Sequence, residues 1–386
     1  AQLSYIYRGN YGLTSVEEIM SAGIEKEIAE DMMKVKLKFA FGKIAHSDNF
    51  LDTLVIENKR VEIKNNVFIK RSKFNNYVIE YEGEKVSISL ELNPGESFIP
   101  SYHLGFYKVH REYFSVIHSG EGDGWDIHRP CMSSIITYDQ NMYIIDTGPN
   151  ILETLNALGI SVSSIKGIFH THCHDDHFSG LTALIQADHK LDYYATPAVR
   201  SSVSKKLSAL LGRPEDFMNR YFNIVDLERE KWNNVEGMGV KPFYSPHPVE
   251  TTNFQFRVIS ENGYKIYSHM ADIASFNVLN NMASSKKGDD GPSKELFDKV
   301  KENYLAEADV KKIDIGGGMI HGMAKDFLND KSKKIILSHT NRNLTPEEKE
   351  IGERASFGMI DTLIPSNSNP MSYYVQKYLR HYFPEK

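Results

Sequence analysis

A chain of 386 residues, 41% hydrophobic and 25% charged, has an ordinary globular composition and is long enough for two domains, or one large domain with an extension. Its net charge of −6 argues against a broad nucleic-acid-binding surface, though not against a local basic groove, and two cysteines exclude a disulfide framework. No apolar run approaches the roughly 18 residues of a membrane span and no secretory leader is evident, so a reducing cytoplasm is the expected compartment.

Residues 1 to about 46 read as helical. Ser15-Val16-Glu17-Glu18 has the capping-box form, and Ile19, Met20, Ile24, Ile28 and Met32 recur at roughly helical spacing. From about 50 to 117 the texture changes to short β-prone runs at 54–56, 61–63, 67–69, 77–81 and 86–90, separated by Asn-Asn, Glu-Gly and Asn-Pro-Gly. The expectation is an accessory domain over 1–114, helix first and then an antiparallel β-rich unit, with no catalytic constellation of its own.

Residues 114–118, 133–138 and 142–148 read as strands, the last ending in Ile144-Ile145-Asp146-Thr147-Gly148. His128 and Cys131 lie on the long turn before the second of these strands. A helix over 151–158 leads to a strand over 165–169. That strand runs into Phe169-His170-Thr171-His172-Cys173-His174-Asp175-Asp176-His177-Phe178. Side chains two apart on an extended chain share a face, so His172 and His174 can meet one cation. Asp176 and His177 fall in the turn into the next helix and can reach another. Cys173 alternates to the opposite face and reads as a core residue.

Next come a strand over 191–195, a helix over 197–211 with Pro197 in its first turn and Gly212 closing it, and a helical or capping segment over 217–230. Ser245-Pro246-His247-Pro248 precedes a strand over 253–259. Asn262-Gly263 signals a hairpin into 264–268, followed by His269-Met270-Ala271-Asp272. A polar loop is expected over 282–292, a helix over 293–308 and a strand over 310–315 that leads to Gly316-Gly317-Gly318 and His321. The strand over 333–337 ends at Ser338-His339-Thr340, and a helix over 370–383 closes the chain.

The His-x-His-x-Asp-His run resembles the signature of the metallo-β-lactamase superfamily, and the resemblance extends over roughly residues 115–345. It implies an α+β chain: a four-layer αβ/βα metallo-β-lactamase sandwich over 115–386, preceded by the β-rich N-terminal domain with its N-terminal helix. It also implies two divalent metal ions, Zn foremost, with Mn and Fe as alternatives. His172, His174 and His247 would hold one, and Asp176, His177 and His339 the other, with Asp272 bridging and Asp146 supporting the ligand loop. In such sites a hydroxide shared by the metals is the nucleophile, and Asp176 can orient or deprotonate it.

Around His247 and His321 the chain is similar to the tRNase Z and cyclic-nucleotide phosphodiesterase branch. The position of His321 suits protonation of a leaving oxygen, although Gly322 stands where tRNase Z carries Glu. Arg342, Asn341 and His128 are candidate substrate contacts. The implied function is a two-metal phosphodiesterase acting on a cyclic nucleotide or a small nucleic-acid-related diester. Two alternatives stand beside it: a lactonase- or thioesterase-like hydrolase on the same site, and a di-iron oxygen or redox sensor similar to the flavodiiron proteins. The latter carry Glu where this chain has His174. A homodimer and a nucleic-acid partner both stay open, and no membrane partner is expected.

Overall fold

The computed structural model describes residues 2–96, 98–185, 187–283 and 291–366, together with 375, 378, 379 and 381–383. The chain divides into two compact units: Ala1–Ile44 with Tyr102–Lys386, and Ala45–Ser101. The division differs from the boundary expected at 114/115, because the N-terminal helices bury their apolar face in the core of the larger unit.

Three helices open that unit: α1 (Gln2–Tyr11), α2 (Val16–Ser21) and α3 (Lys26–Phe39). Ser15 caps α2 by accepting the Glu18 N–H at 3.2 Å. The Glu18 carboxylate reaches past Ser15 to the Thr14 N–H at 2.7 Å, and it also pairs with Arg8 at 2.8 Å.

The smaller unit holds four antiparallel strands, β1 (Val61–Lys64), β2 (Val67–Lys73), β3 (Asn76–Tyr81) and β4 (Glu84–Ser89), hydrogen-bonded in that order. Asn65 and Asn66 turn the first hairpin at φ 53° and 60°, and Glu82 and Gly83 turn the third at 49° and 87°. Positive φ at both central residues matches the twist of paired strands. Val61, Ile69, Ile79 and Val86 form one cross-strand row. Residues 54–56, expected as a strand, form none: they find no partner strand.

From Phe114 the larger unit runs β5 (Phe114–Gly120), β6 (Ser133–Tyr138), β7 (Asn141–Ile145), α4 (Ile151–Ala157) and β8 (Ile165–Phe169). The short α5 (Asp175–Phe178) and α6 (Leu181–Leu184) lead to β9 (Leu191–Ala195), α7 (Pro197–Leu211) and β10 (Phe222–Asp226). Then follow β11 (Asn233–Val235), β12 (Met238–Ser245), β13 (Thr251–Ser260), β14 (Gly263–Met270), α8 (Phe276–Met282) and α9 (Lys294–Tyr304). The remaining elements are β15 (Val310–Asp314), β16 (Ile335–Ser338), α10 (Pro346–Ile351) and β17 (Ile360–Ile364). A seven-stranded sheet has the order β10-β9-β8-β7-β6-β5-β17, and a six-stranded sheet runs β11-β12-β13-β14-β15-β16.

Central strands such as β7 and β8 read as nearly continuous apolar runs because both faces of their sheet are covered. In β7, Met142 and Ile144 enter the core beneath α4, α6 and α7, while Tyr143 and Ile145 enter the core between the sheets. From the second sheet Val240, Phe254, Phe256 and Tyr267 meet them there. On its outer face Phe243, Met270, Ile313 and Leu337 pack with Met32 and Phe39 of α3, Leu279 of α8, and Phe297 and Val300 of α9. The result is the expected αβ/βα sandwich.

The segment 217–230 departs from expectation, and β11, α10 and β17 were not anticipated. The segment 217–230 is a helical turn followed by β10, which pairs in parallel with β9. The expectation there is a helical or capping segment, but the open edge of β9 offers backbone partners that make 222–226 a strand. The unforeseen β17 adds antiparallel to β5 at the far end of the same sheet. The expected loop over 282–292 and helix over 370–383 lie largely outside the described residues. Among the described residues no helix is long and apolar enough to cross a membrane.

Candidate metal centre

The ends of four strands and the turn into α5 converge on one cluster. His172 and His174 follow β8, and Asp176 and His177 lie in α5. His247 follows β12, Asp272 follows β14 and His339 follows β16. His172, His174, His247 and Asp272 each bring a ligand atom to within 4.8 Å of one another. Asp176, His177 and His339 do the same beside them.

Asp272 divides between the two groups. Its Oδ2 lies 3.5 Å from His172 Nε2 and 3.3 Å from His247 Nε2. Its Oδ1 lies 3.1 Å from His177 Nε2 and 3.4 Å from His339 Nε2. Asp176 Oδ2 is 3.1 Å from His339 Nε2 and 3.3 Å from His177 Nε2. His174 turns Nδ1 inward, 3.0 Å from His247 Nε2.

A second layer of carboxylates aims the imidazoles, as such partners do in metal sites. Asp146 Oδ2 sits 2.8 Å from His177 Nδ1, and its two oxygens take the Thr171 hydroxyl and N–H at 2.6 and 2.7 Å. Asp314 at the end of β15 stands between His321 and His339, 3.1 Å and 3.4 Å from their Nδ1 atoms. It also accepts the Gly316, Gly322 and Ile273 N–H groups. Asp146 and His339 hold φ of 62° and 59°, a left-handed conformation that costs a non-glycine residue of the order of 1 kcal/mol. Gly148 allows the approach of α5: a Cβ there would come 2.3 Å from the Asp176 carbonyl oxygen.

The electrostatics divide along the same line. Burial pushes His174 down to about 3 and His247 well below its ordinary value, keeping both imidazoles neutral. Burial also opposes charge on His177 and His339, but the surrounding Asp176, Asp272, Asp146 and Asp314 carboxylates raise both well above the usual range. Despite burial, Asp176 and Asp272 are held well below theirs by the neighbouring imidazoles. His172 Nε2, His177 Nε2 and Asp272 Oδ1 are buried without a hydrogen-bond partner. Such orphaned atoms, converging from an imidazole-rich set, fit divalent cations. A cation entering the second group displaces protons from His177 and His339.

All seven expected ligands therefore meet in one place, and His321 stands beside them, 3.7 Å from Asp272. The expected substrate contacts fare differently. Arg342 spends both terminal guanidinium nitrogens on Glu348, at 2.7 and 2.6 Å, so that fork is not free for a phosphate. Asn341 is exposed on the same turn. His128 is exposed on the loop between β5 and β6, where its N–H is bound by Asp126 Oδ1 at 2.9 Å. Cys173 is buried with its thiol toward the Arg8 carbonyl, away from the ligands.

Sequence reasoning missed Asp314, whose only local signal is an acidic residue at a strand end before three glycines. It also missed Lys206, whose Nζ bonds the Cys173 carbonyl at 2.6 Å and Asp175 at 2.7 Å. Tyr5 of α1 donates to the same Asp175, between two ligand positions. Glu250, three residues beyond His247, is buried against Lys36 of α3 and accepts the Leu13 N–H at 2.9 Å.

The chain is 27% identical over 213 residues to "cAMP/cGMP-dependent 3',5'-cAMP/cGMP phosphodiesterase B" of Dictyostelium discoideum, covering 54% of this chain and 19% of that protein. It is 22% identical over 142 residues to "cGMP-dependent 3',5'-cGMP phosphodiesterase A" of the same organism, covering 37% and 16%. The chain thus spans less than a fifth of the length of these curated relatives. Among solved structures it is similar to Zn(2+)-bound PqqB from Methylobacterium extorquens, with 15% identity and a TM-score of 0.47 over 64% of this chain and 100% of the other. The short form of human tRNase Z gives 17% and 0.42 over 64% and 99%. A family described as "Anti-Pycsar protein Apyc1" matches residues 114–357. That span is well over half of the chain and includes every ligand position in the cluster, so the chain belongs to the Anti-Pycsar protein Apyc1 family.

Proposed function

We propose that this protein is a two-metal phosphodiesterase acting on a cyclic nucleotide. The observation that carries the reading is the division of Asp272, one carboxylate oxygen toward each ligand group. His172, His174 and His247 would hold one divalent ion and Asp176, His177 and His339 the other. Zn suits this imidazole-rich set best. When bound, such a pair supplies a water with its pKa lowered toward about 7 and positive charge beside the attacked phosphorus.

The chain's own groups supply the rest. Asp176, half-buried and anionic, orients the attacking water and accepts its proton. His321 protonates the leaving oxygen. Asp314 engages its Nδ1 at 3.1 Å, which leaves Nε2 for the substrate. Burial alone would lower the pKa of His321, but the Asp314 and Asp272 carboxylates more than reverse this and favour the protonated ring. The names of the two Dictyostelium relatives, both cyclic-nucleotide phosphodiesterases, support the substrate class.

The test is turnover of a cyclic nucleotide, bis(p-nitrophenyl) phosphate and a lactone by zinc-loaded protein, with Asp272→Ala as control. Diester hydrolysis is expected, with a loss of at least about 10³-fold in the variant, the scale of removing a group that acts as part of a catalytic unit. Turnover of the lactone with no diester hydrolysed would overturn the reading.

A further inference from the structure

The loop between β5 and β6 passes over the second ligand group. A Cβ added to Gly124 would stand 3.1 Å from Asp176 Cβ and Cγ and 3.2 Å from its Oδ2, so any larger residue would make Asp176 give way by a few tenths of an ångström. The base of the loop is tied to the strand end that carries His339, whose N–H donates to the Glu121 carbonyl at 2.7 Å. Within the loop Asp123 Oδ1 accepts the Trp125 N–H at 3.0 Å and the Asp126 N–H at 2.9 Å. Arg129 pairs with Asp126 at 2.5 Å, and the Gly122 N–H reaches the Pro130 carbonyl at 2.9 Å.

This well-braced loop exposes its largest side chain. Trp125 is 89% exposed, and among the described residues its indole makes no ring contact and no hydrogen bond. A tryptophan offers 150–250 Å² of burial, on the usual scale, when it finds a partner. Here it stands one residue beyond the glycine that touches Asp176.

We infer that Trp125 is the platform on which the nucleobase of the substrate stacks while the phosphodiester lies at the metal centre. The inference rests on the phosphodiesterase reading. It adds a residue that selects base-bearing diesters over simple ones. An exposed aromatic face next to the glycine that approaches Asp176 suits a planar heterocycle, because every base has a π-face to stack. Little backbone ordering is needed on binding, since hydrogen bonds already hold the loop.

The chain has two tryptophans, so Trp232→Phe leaves Trp125 as the only indole emitter. Zinc-loaded protein of that background is titrated with 5'-AMP and with ribose 5-phosphate, exciting at a wavelength adenine does not absorb. Quenching by 5'-AMP and none by ribose 5-phosphate is expected. In parallel, Trp125→Ala should raise KM for a cyclic nucleotide about tenfold or more, with kcat changed far less and partial recovery in Trp125→Phe. Inhibition by inorganic phosphate should stay as in the parent. Cyclic-nucleotide turnover with KM unchanged in Trp125→Ala and no quenching would overturn the stacking while leaving the phosphodiesterase reading intact. Quenching by 5'-AMP alone in a protein that hydrolyses no diester would uphold the stacking and sink the activity.

Discussion

Two stretches precede the family-matched residues, and they relate to the chemistry in different ways. The helices over 1–44 are wired to the ligand loops: Lys36 and the Leu13 N–H hold Glu250 near His247, and Tyr5 joins Lys206 on Asp175 between His174 and Asp176. Residues 45–101 form a sheet of their own, and none of the candidate ligands lies among them. Both had read as one accessory domain, because a change of texture in sequence marks a change of secondary structure and not the edge of a folding unit. The helices belong to the larger unit because their apolar faces complete its outer layer.

The largest expected effect that would sharpen this contrast is on stability. Lys36→Met leaves Glu250, 1% exposed, as a buried charge without its partner. Loss of one member of such a pair costs about 3–5 kcal/mol. By contrast, Arg60→Ala breaks a surface pair with Glu80 in the β-rich unit and should cost less than about 1 kcal/mol. Urea midpoints of the two variants check this, and equal shifts would break the comparison.

Next in size is metal affinity. Lys206→Met keeps the buried stem but removes the bonds to Cys173 and Asp175. Groups that orient metal ligands are typically worth about 10–100-fold in affinity, and competition with a chelator would measure the loss. Affinity equal to the parent's would reduce Lys206 to a packing residue.

The smallest effect is on acid stability. Burial alone would raise the Glu18 carboxyl, but the hydrogen bonds and charge of Arg8, the Thr14 N–H and Lys205 bring it from 4.5 to about 2. Its folded pKa lies below the unfolded one, so its contribution is complete above about pH 4.5 and is lost as pH falls toward about 2. Glu18→Gln should flatten the fall in stability across that window. An unchanged slope would show that the clasp between α1 and α2 does not carry this charge dependence.

Much of this was readable along the chain. Pro197 and Gly212 bounded α7 because a first turn tolerates a missing N–H and a last turn needs a left-handed residue; Gly212 has φ 61°. His172, His174, Asp176 and His177 announced a cation site because four donors lie within six residues. His247, Asp272 and His339 have no such neighbours in sequence, and only the family pattern pointed to them.

What the order of residues determined by itself is therefore local: the strands, from apolar runs of the right length, and the first four donors, from a spacing that needs no folding to bring them together. The tertiary structure alone decided the rest. It set Asp314 between two imidazoles, gave the guanidinium of Arg342 to Glu348, joined β17 to β5 and seated α3 against the second sheet. Each of these pairs residues far apart in the chain or settles a competition between partners. Hydrogen-bond and ion-pair partners are chosen by which groups packing brings within about 3 Å, and that distance exists only after the layers close.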